Sequence, residues 1–216
     1  MRGTLGGAEL VYGGGVTETA APIGRRERKK RETHAALHRA ALKLFAERGY
    51  RDTRISDIAE AADVSEATFF RYFASKEEVA LVGLMSRIES ALTALSERPD
   101  DEPPLAACLA IMGSPGALGL VPGPDEIVTV QLLASNPSLT GYFFWQITQV
   151  TGRLAADFAR RLGVEGTSLE PQLLASAVIG ALDAVLRVWL TDPSTSPAEM
   201  TSRAFRLLAA GLEPLA

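Results

Sequence analysis

Residues 55–79 read ISDIAEAADVSEATFFRYFASKEEV. Ile55, Ile58, Ala59 and Ala62 recur at the three- and four-residue spacing of a single helical face. After a turn at Asp63-Val64 the helical period resumes. Ser65 is of the type that caps a helix N-terminus, and Phe69 and Phe73, four apart, mark the buried side of the helix it opens. Glu66, Ala67, Thr68, Phe70, Arg71 and Tyr72 then fall on or near the outward side. Ser75-Lys76-Glu77-Glu78 has the pattern of a capping box, so a fourth helix begins with Lys76 beside its N-terminus, where a phosphate can sit. Two short helices joined by a tight turn, the second carrying polar and basic residues outward, form a helix-turn-helix pattern. A helix fits the major groove of DNA, where residues near its N-terminus reach base edges while flanking cations hold phosphates.

Working outward, the stretch upstream predicts a helix over about 28–48, with Leu37, Ala41, Leu44 and Phe45 on one stripe and Gly49 ending it. It opens with RRERKKR, Arg25 to Arg31, which reads either as a solvated charge run or as a phosphate-binding arm. The net charge of −4 conceals a division along the chain. Residues 25–76 carry 13 Lys or Arg against 8 Asp or Glu, whereas residues 77–216 carry 8 against 16. A basic block therefore precedes an acidic body. The Gly-rich residues 1–24 lack the basic-then-apolar order of a signal peptide and are expected to form a disordered leader.

No stretch alternates with period two for long enough to propose a sheet, so the fold class expected is all-α. Beyond the fourth helix and the linker RPDDEPP, helices are expected near 105–112 and 125–135, separated by the joint GSPGALGLVPGP. Asn136-Pro137 opens a long helix to about Leu162, with Asn136 as its cap. Residues 169–191 form a helix apolar nearly all round, and a final helix runs over about 197–212. A helix apolar on every side must bury every side, and a chain of 216 residues has few helices to cover it, so the periodicity shows excess apolar surface that a second copy could cover. No apolar run is expected to approach the roughly 18 residues a membrane span needs. Cys108 has no second cysteine to pair with and reads as a small core hydrophobe in a reducing cytoplasm.

Enzyme readings find little support. The chain lacks a G-x-S-x-G, P-loop or H-E-x-x-H string. His34 and His38 lie one helical turn apart, but no Cys or carboxylate completes a metal set, and they read as solvated surface histidines. Asp183 and Arg187 read as an ion pair at the rim of an interface, and Gln146, Gln149 and Arg153 as a solvated polar stripe. No cofactor or metal is implied.

The segment LHRAALKLFAERGYRDTRISDIAEAADVSEATFFRYFASKEEV resembles the N-terminal domain of the tetracycline-repressor (TetR) family over about residues 36–84. Leu44-Phe45, Gly49-Tyr50, Ile58-Ala59, Val64-Ser65, Thr68-Phe69-Phe70, Tyr72-Phe73 and Lys76 carry that resemblance in combination. It implies that Glu66, Ala67, Thr68 and Arg71 face the groove behind the cap Ser65, and that Phe70, Tyr72 and Lys76 lie along the DNA backbone. Three positions depart from the family pattern. Asp63 stands where the turn usually has Gly, Arg54 where Thr often caps the second helix, and Phe70 where Tyr is common. Asp tolerates the left-handed conformation, and Arg54 offers a phosphate contact from the helix start. Arg71 can bond guanine O6 and N7 together or hold a phosphate, and Phe70 can also pack under its helix.

The resemblance further implies a dimer formed by the last two helices and a regulator, most simply a repressor, that binds a palindromic operator in double-stranded DNA and is released by an unknown small-molecule effector. The domains expected are the leader 1–24, a helix-turn-helix DNA-binding domain over 25–75, and a larger helical effector-binding and dimerisation domain over 76–216. The fourth helix joins the two. Effector-lining candidates are Met85, Ile88, Cys108, Met112, Phe143, Phe144, Trp145 and Ile147, for each of which ordinary core packing is the alternative. The protein is expected in the cytoplasm with no membrane partner. The rival reading is an all-α small-molecule binding protein or enzyme whose helix-turn-helix is structural.

Overall fold

The structure is a computed structural model that describes residues 24–112, 124–192 and 194–211. Those residues form helices α1 (Arg25–Arg48), α2 (Ile55–Ala61), α3 (Glu66–Tyr72), α4 (Lys76–Ser96), α5 (Pro104–Met112), α6 (Pro124–Ser135), α7 (Pro137–Leu162), α8 (Leu169–Thr191) and α9 (Pro197–Ala209), with no strand among them. The leader and most of the GSPGALGLVPGP joint lie outside the described residues.

The helix-turn-helix follows its local signals closely. Gly49 takes φ 84°, and Asp63 at φ 54° supplies the left-handed turn between α2 and α3 that the family usually gives to Gly. Ser65 Oγ accepts from the Thr68 N–H at 3.1 Å, and Ser75 Oγ accepts from the Glu78 N–H at 3.1 Å. At the start of α2 the Arg54 backbone N–H donates to Asp57 Oδ2 at 2.9 Å, which satisfies one end group where Arg54 offers no side-chain acceptor. α1 starts three residues earlier than its apolar stripe suggested, because the charge run is itself helical and laced by Arg28–Glu32 and Arg31–Glu27 pairs.

Two apolar cores result. The first gathers Leu37, Phe45, Ile58, Phe69 and Phe73 with Val79, Ala80 and Leu81 of α4, and it continues into Leu132, Leu133 and Leu139 of α6 and α7. The second packs Leu95, Ala107, Cys108, Leu154, Phe158, Val178 and Phe205 among α4, α5, α7, α8 and α9. Both use α4, which is therefore common to the core of the helix-turn-helix and to the core of the larger helical body.

Three sequence expectations need correction. His34 and His38 are half-buried and partnered, not freely solvated. His38 Nδ1 lies 2.9 Å from the Val79 carbonyl oxygen of α4, and the His34 ring packs on Phe73 with centroids 4.6 Å apart. Gly83 leaves the room His38 needs, since a Cβ there would stand 3.2 Å from its Nε2. The periodicity of α1 places both rings outside because it cannot see Phe73, at the end of α3, packing on His34 or α4 reaching His38. Asn136 does not cap α7 with its side chain; its Nδ2 donates back to Leu132 O at 2.9 Å and closes α6 instead. Finally, residues 66–96 and 169–191 reach the length and mean hydropathy of membrane spans. The first comprises two helices broken at Phe73–Ser75, and the second is interrupted by Glu170, Asp183 and Arg187, so counting uninterrupted runs passed over both.

Candidate nucleic-acid interface and core cavity

α3 buries Phe69 and turns the opposite side outward. Glu66, Ala67 and Arg71 are exposed, Thr68 is half-buried with its hydroxyl 3.0 Å from Ser65 Oγ, and Phe70 is 53% exposed. Phe70 thus lies outside the core, packing edge-on against Phe69. The Arg71 guanidinium stacks 5.3 Å from the centroid of the Tyr72 ring, which holds it on the outer face without consuming its donors. Arg54 is exposed at the start of α2. Along α1, Arg25, Arg26, Lys29 and Lys30 have no acidic partner among the described residues. These groups present a short helix, flanked by cations, in the form needed to enter a major groove.

Lys76 is placed differently from a free phosphate ligand. Its ammonium donates to Tyr50 O at 2.7 Å and Thr53 O at 3.0 Å and sits 4.3 Å from the Tyr50 ring centroid. Burial lowers its pKa from the usual lysine value. The Tyr50 hydroxyl donates to Glu77 Oε1 at 2.8 Å, and burial followed by that bond raises the Tyr50 pKa well above its usual value. The first turn of α4 is thereby tied to the loop between α1 and α2. An ammonium has three donors, so one is left over from these two bonds.

Between α4, α5, α6, α7, α8 and α9 lies a cavity of about 300 Å³. Of the lining candidates read from the sequence, Ile88, Cys108, Met112, Phe143, Phe144 and Ile147 border it. Met85 and Trp145 do not: Met85 packs against the first core, and Trp145 is 58% exposed beside Tyr142. Burial pushes the Cys108 thiol up to about 12, so it remains a neutral thiol at physiological pH. The sequence reading missed Arg87, Glu126, Trp189 and Thr201. Arg87 is one turn beyond Leu84 on the inward stripe of α4, and Thr201 is one turn before the buried Phe205, so spacing carried a signal that their polarity obscured. Arg87 and Glu126 pair across α4 and α6 at 3.0 Å.

α4 is clamped along its length. Thr129 Oγ1 of α6 reaches Ala80 O at 3.2 Å, Arg153 of α7 pairs with Glu89, and the buried Arg161 side chain donates to Leu95 O and Pro99 O. α8 keeps an uncovered side on which Leu169 and Leu173 are 73% and 62% exposed, with Gly180, Ala184 and Val188 following. The Asp183–Arg187 pair forms on this helix at 2.6 Å.

A helix-turn-helix of this build, resting on a larger helical body, defines a DNA-binding transcriptional regulator. Residues 37–81 match the bacterial regulatory proteins, tetR family, and residues 124–213 match the MftR C-terminal domain. The HTH-type transcriptional regulator TcmR of Streptomyces glaucescens is 36% identical over 198 residues, covering 88% of this chain and 87% of TcmR. MftR of Mycobacterium tuberculosis is 29% identical, covering 87% of this chain and 95% of that protein. The chain belongs to the TetR family. The solved complex of SmeT with triclosan shares the fold at a TM-score of 0.61 and 18% identity, covering 85% of this chain and 99% of SmeT. These relatives are regulators, which removes the enzyme reading.

Proposed function

We propose that this regulator is a cytoplasmic repressor that binds a palindromic operator as a homodimer and is released when a small molecule enters the core cavity. The observation that carries the reading is the dual use of α4. Its residues 79–81 belong to the core of the reading unit, while Leu84, Ile88 and Leu92, further along the same helix, line the cavity. A ligand that favours one setting of α4 shifts the orientation of α3 by the difference in its affinity for the two settings. In this reading residues 25–75 form the DNA-binding unit and 76–216 the effector and dimer unit. Glu66, Ala67, Thr68 and Arg71 read bases, and Arg54, Phe70, Tyr72 and the third Lys76 donor follow the backbone.

The uncovered side of α8 supports the dimer. Gly180 and Ala184 allow a second helix to approach closely, and Leu169, Leu173 and Val188 supply apolar area. Gly180 is exposed and nothing beyond its own helix backbone lies within 4 Å of a Cβ built there, so a side chain can start from it without a clash. Leu182, by contrast, lines the cavity, so a substitution there would confound assembly with ligand binding.

The experiment is selection of bound sequences from a random duplex library by wild type and by Gly180→Arg. Wild type is expected to enrich two inverted half-sites whose centres lie on one face of the duplex. Gly180→Arg is expected to sediment as a monomer and lose that enrichment. A dimer that persists in Gly180→Arg, or an enriched site without dyad symmetry, would contradict the proposal.

A further inference from the structure

The wall of the cavity restricts what it can hold. Most of it is Leu, Ile, Val, Met and Phe, so the matching ligand surface is apolar. Three charged residues border it, Arg87, Glu126 and Asp183, and each already has an ion-pair partner in its own chain, the Asp183 pair at the exposed edge. Arg87 pairs with Glu126 with both side chains mostly buried, and Asp183 pairs with Arg187. An anionic ligand would compete with Glu126 for the guanidinium, and a cationic one with Arg87 for the carboxylate. Either would leave water for apolar surroundings without a free counter-charge.

Thr201 of α9 also lines the cavity. It is 1% exposed, and among the described residues its Oγ1 is the buried side-chain polar atom left without a hydrogen-bond partner. Other helical threonines of this chain behave otherwise. Thr93, Thr129, Thr148, Thr151 and Thr191 each donate to the carbonyl four residues back, at 2.8 to 3.1 Å. Thr201 forgoes that bond although it sits in a regular helix, one turn before the fully buried Phe205. An apolar residue of the same shape would pack there without the cost of a desolvated, unpaired hydroxyl.

We propose that Thr201 is the polar anchor of the cavity, its hydroxyl hydrogen-bonding the polar group of an otherwise apolar, uncharged effector such as an alcohol, ketone or amide. This rests on the effector reading above. A hydroxyl both donates and accepts, and a helical threonine retains two χ1 wells, so side-chain rotation alone can present either function to the ligand. The paired charges on the other walls exclude acids and amines instead of recruiting them.

The test titrates the full-length protein calorimetrically with three probes that share one ten-carbon chain: 1-decanol, decanoate and decylammonium. Ile147→Trp, which fills the cavity, serves as the control for location. Decanol is expected to bind wild type about tenfold or more tighter than either ion and to lose its site in Ile147→Trp. Thr201→Val is expected to weaken decanol about fivefold and to raise the melting temperature without probe, since it removes the unpaired hydroxyl. Thr201→Ser should restore most of the affinity. Decanol affinity unchanged in Thr201→Val, or a charged probe that binds best, would overturn the anchor while leaving the effector cavity standing. Failure of all three probes to bind wild type, or binding unaffected by Ile147→Trp, would overturn the cavity reading itself.

Discussion

Lys76→Met separates a structural role at the start of α4 from a contact with DNA. The substitution keeps the apolar stem and removes the ammonium that donates to Tyr50 O and Thr53 O and lies against the Tyr50 ring. Hydrogen bonds from a charged donor contribute about 1.5–3 kcal/mol each, and an exposed cation–π contact about 0.5–1 kcal/mol. Lys76 is only half-buried, so both carbonyls regain water when it is lost and solvent screens the charge. The net cost is therefore set near the value of one such bond, about 2 kcal/mol. For a chain of this size that lowers the melting temperature by about 6 °C. The assay is thermal unfolding without DNA, beside the salt dependence of duplex binding. A phosphate contact by the third N–H adds a second signature, a fall of about 0.9 in the logarithmic salt slope per subunit. Unchanged melting together with a reduced slope would refute the inward role of the ammonium and return Lys76 to a purely DNA-facing one.

Two further outcomes follow from the geometry. Arg71→Ala is expected to relax base preference at one position of each half-site at a cost of about 1–3 kcal/mol; equal losses on specific and non-specific duplexes, measured by competition, would make Arg71 a phosphate contact. Burial, with His38 and Lys30 adding and Glu78 opposing, holds the His34 pKa below its ordinary 6.5. The unfolded chain therefore takes up the proton first, so stability is full above pH 6.5 and falls as pH drops through 6.5 toward the folded value. Melting curves from pH 7.5 to 5.5 should decline less steeply for His34→Gln than for wild type, and parallel declines would dismiss His34 as a contributor.

The helix-turn-helix was legible because its signals are local. Caps at Ser65 and Ser75, the turn at Asp63 and the four-residue spacing of Phe69 and Phe73 all act within a few residues of one another. What the sequence hid depends on helices far apart in the chain. The inward turn of Lys76 requires the α1–α2 loop more than twenty residues upstream, and the partial cover of His34 and His38 requires Phe73 and α4 to pack on α1. The cavity was half legible. Apolar period located Ile88, Cys108 and Ile147, but an arginine or threonine on the same stripe reads as surface until its partner, or the lack of one, is seen. Trp145 failed for the opposite reason: size and apolarity suggested a lining position, while its place in the α7 register turns it outward.

If operator and effector oppose each other through α4, as proposed, each must weaken the binding of the other. The affinity of the cavity for 1-decanol should be measured with free protein and with protein saturated by its selected operator duplex. By thermodynamic reciprocity the duplex must weaken decanol binding by the factor by which decanol weakens duplex binding. The account predicts equal factors, both above one, and the loss of both in Ile147→Trp. Decanol binding that is as tight on the operator complex as on free protein would contradict it.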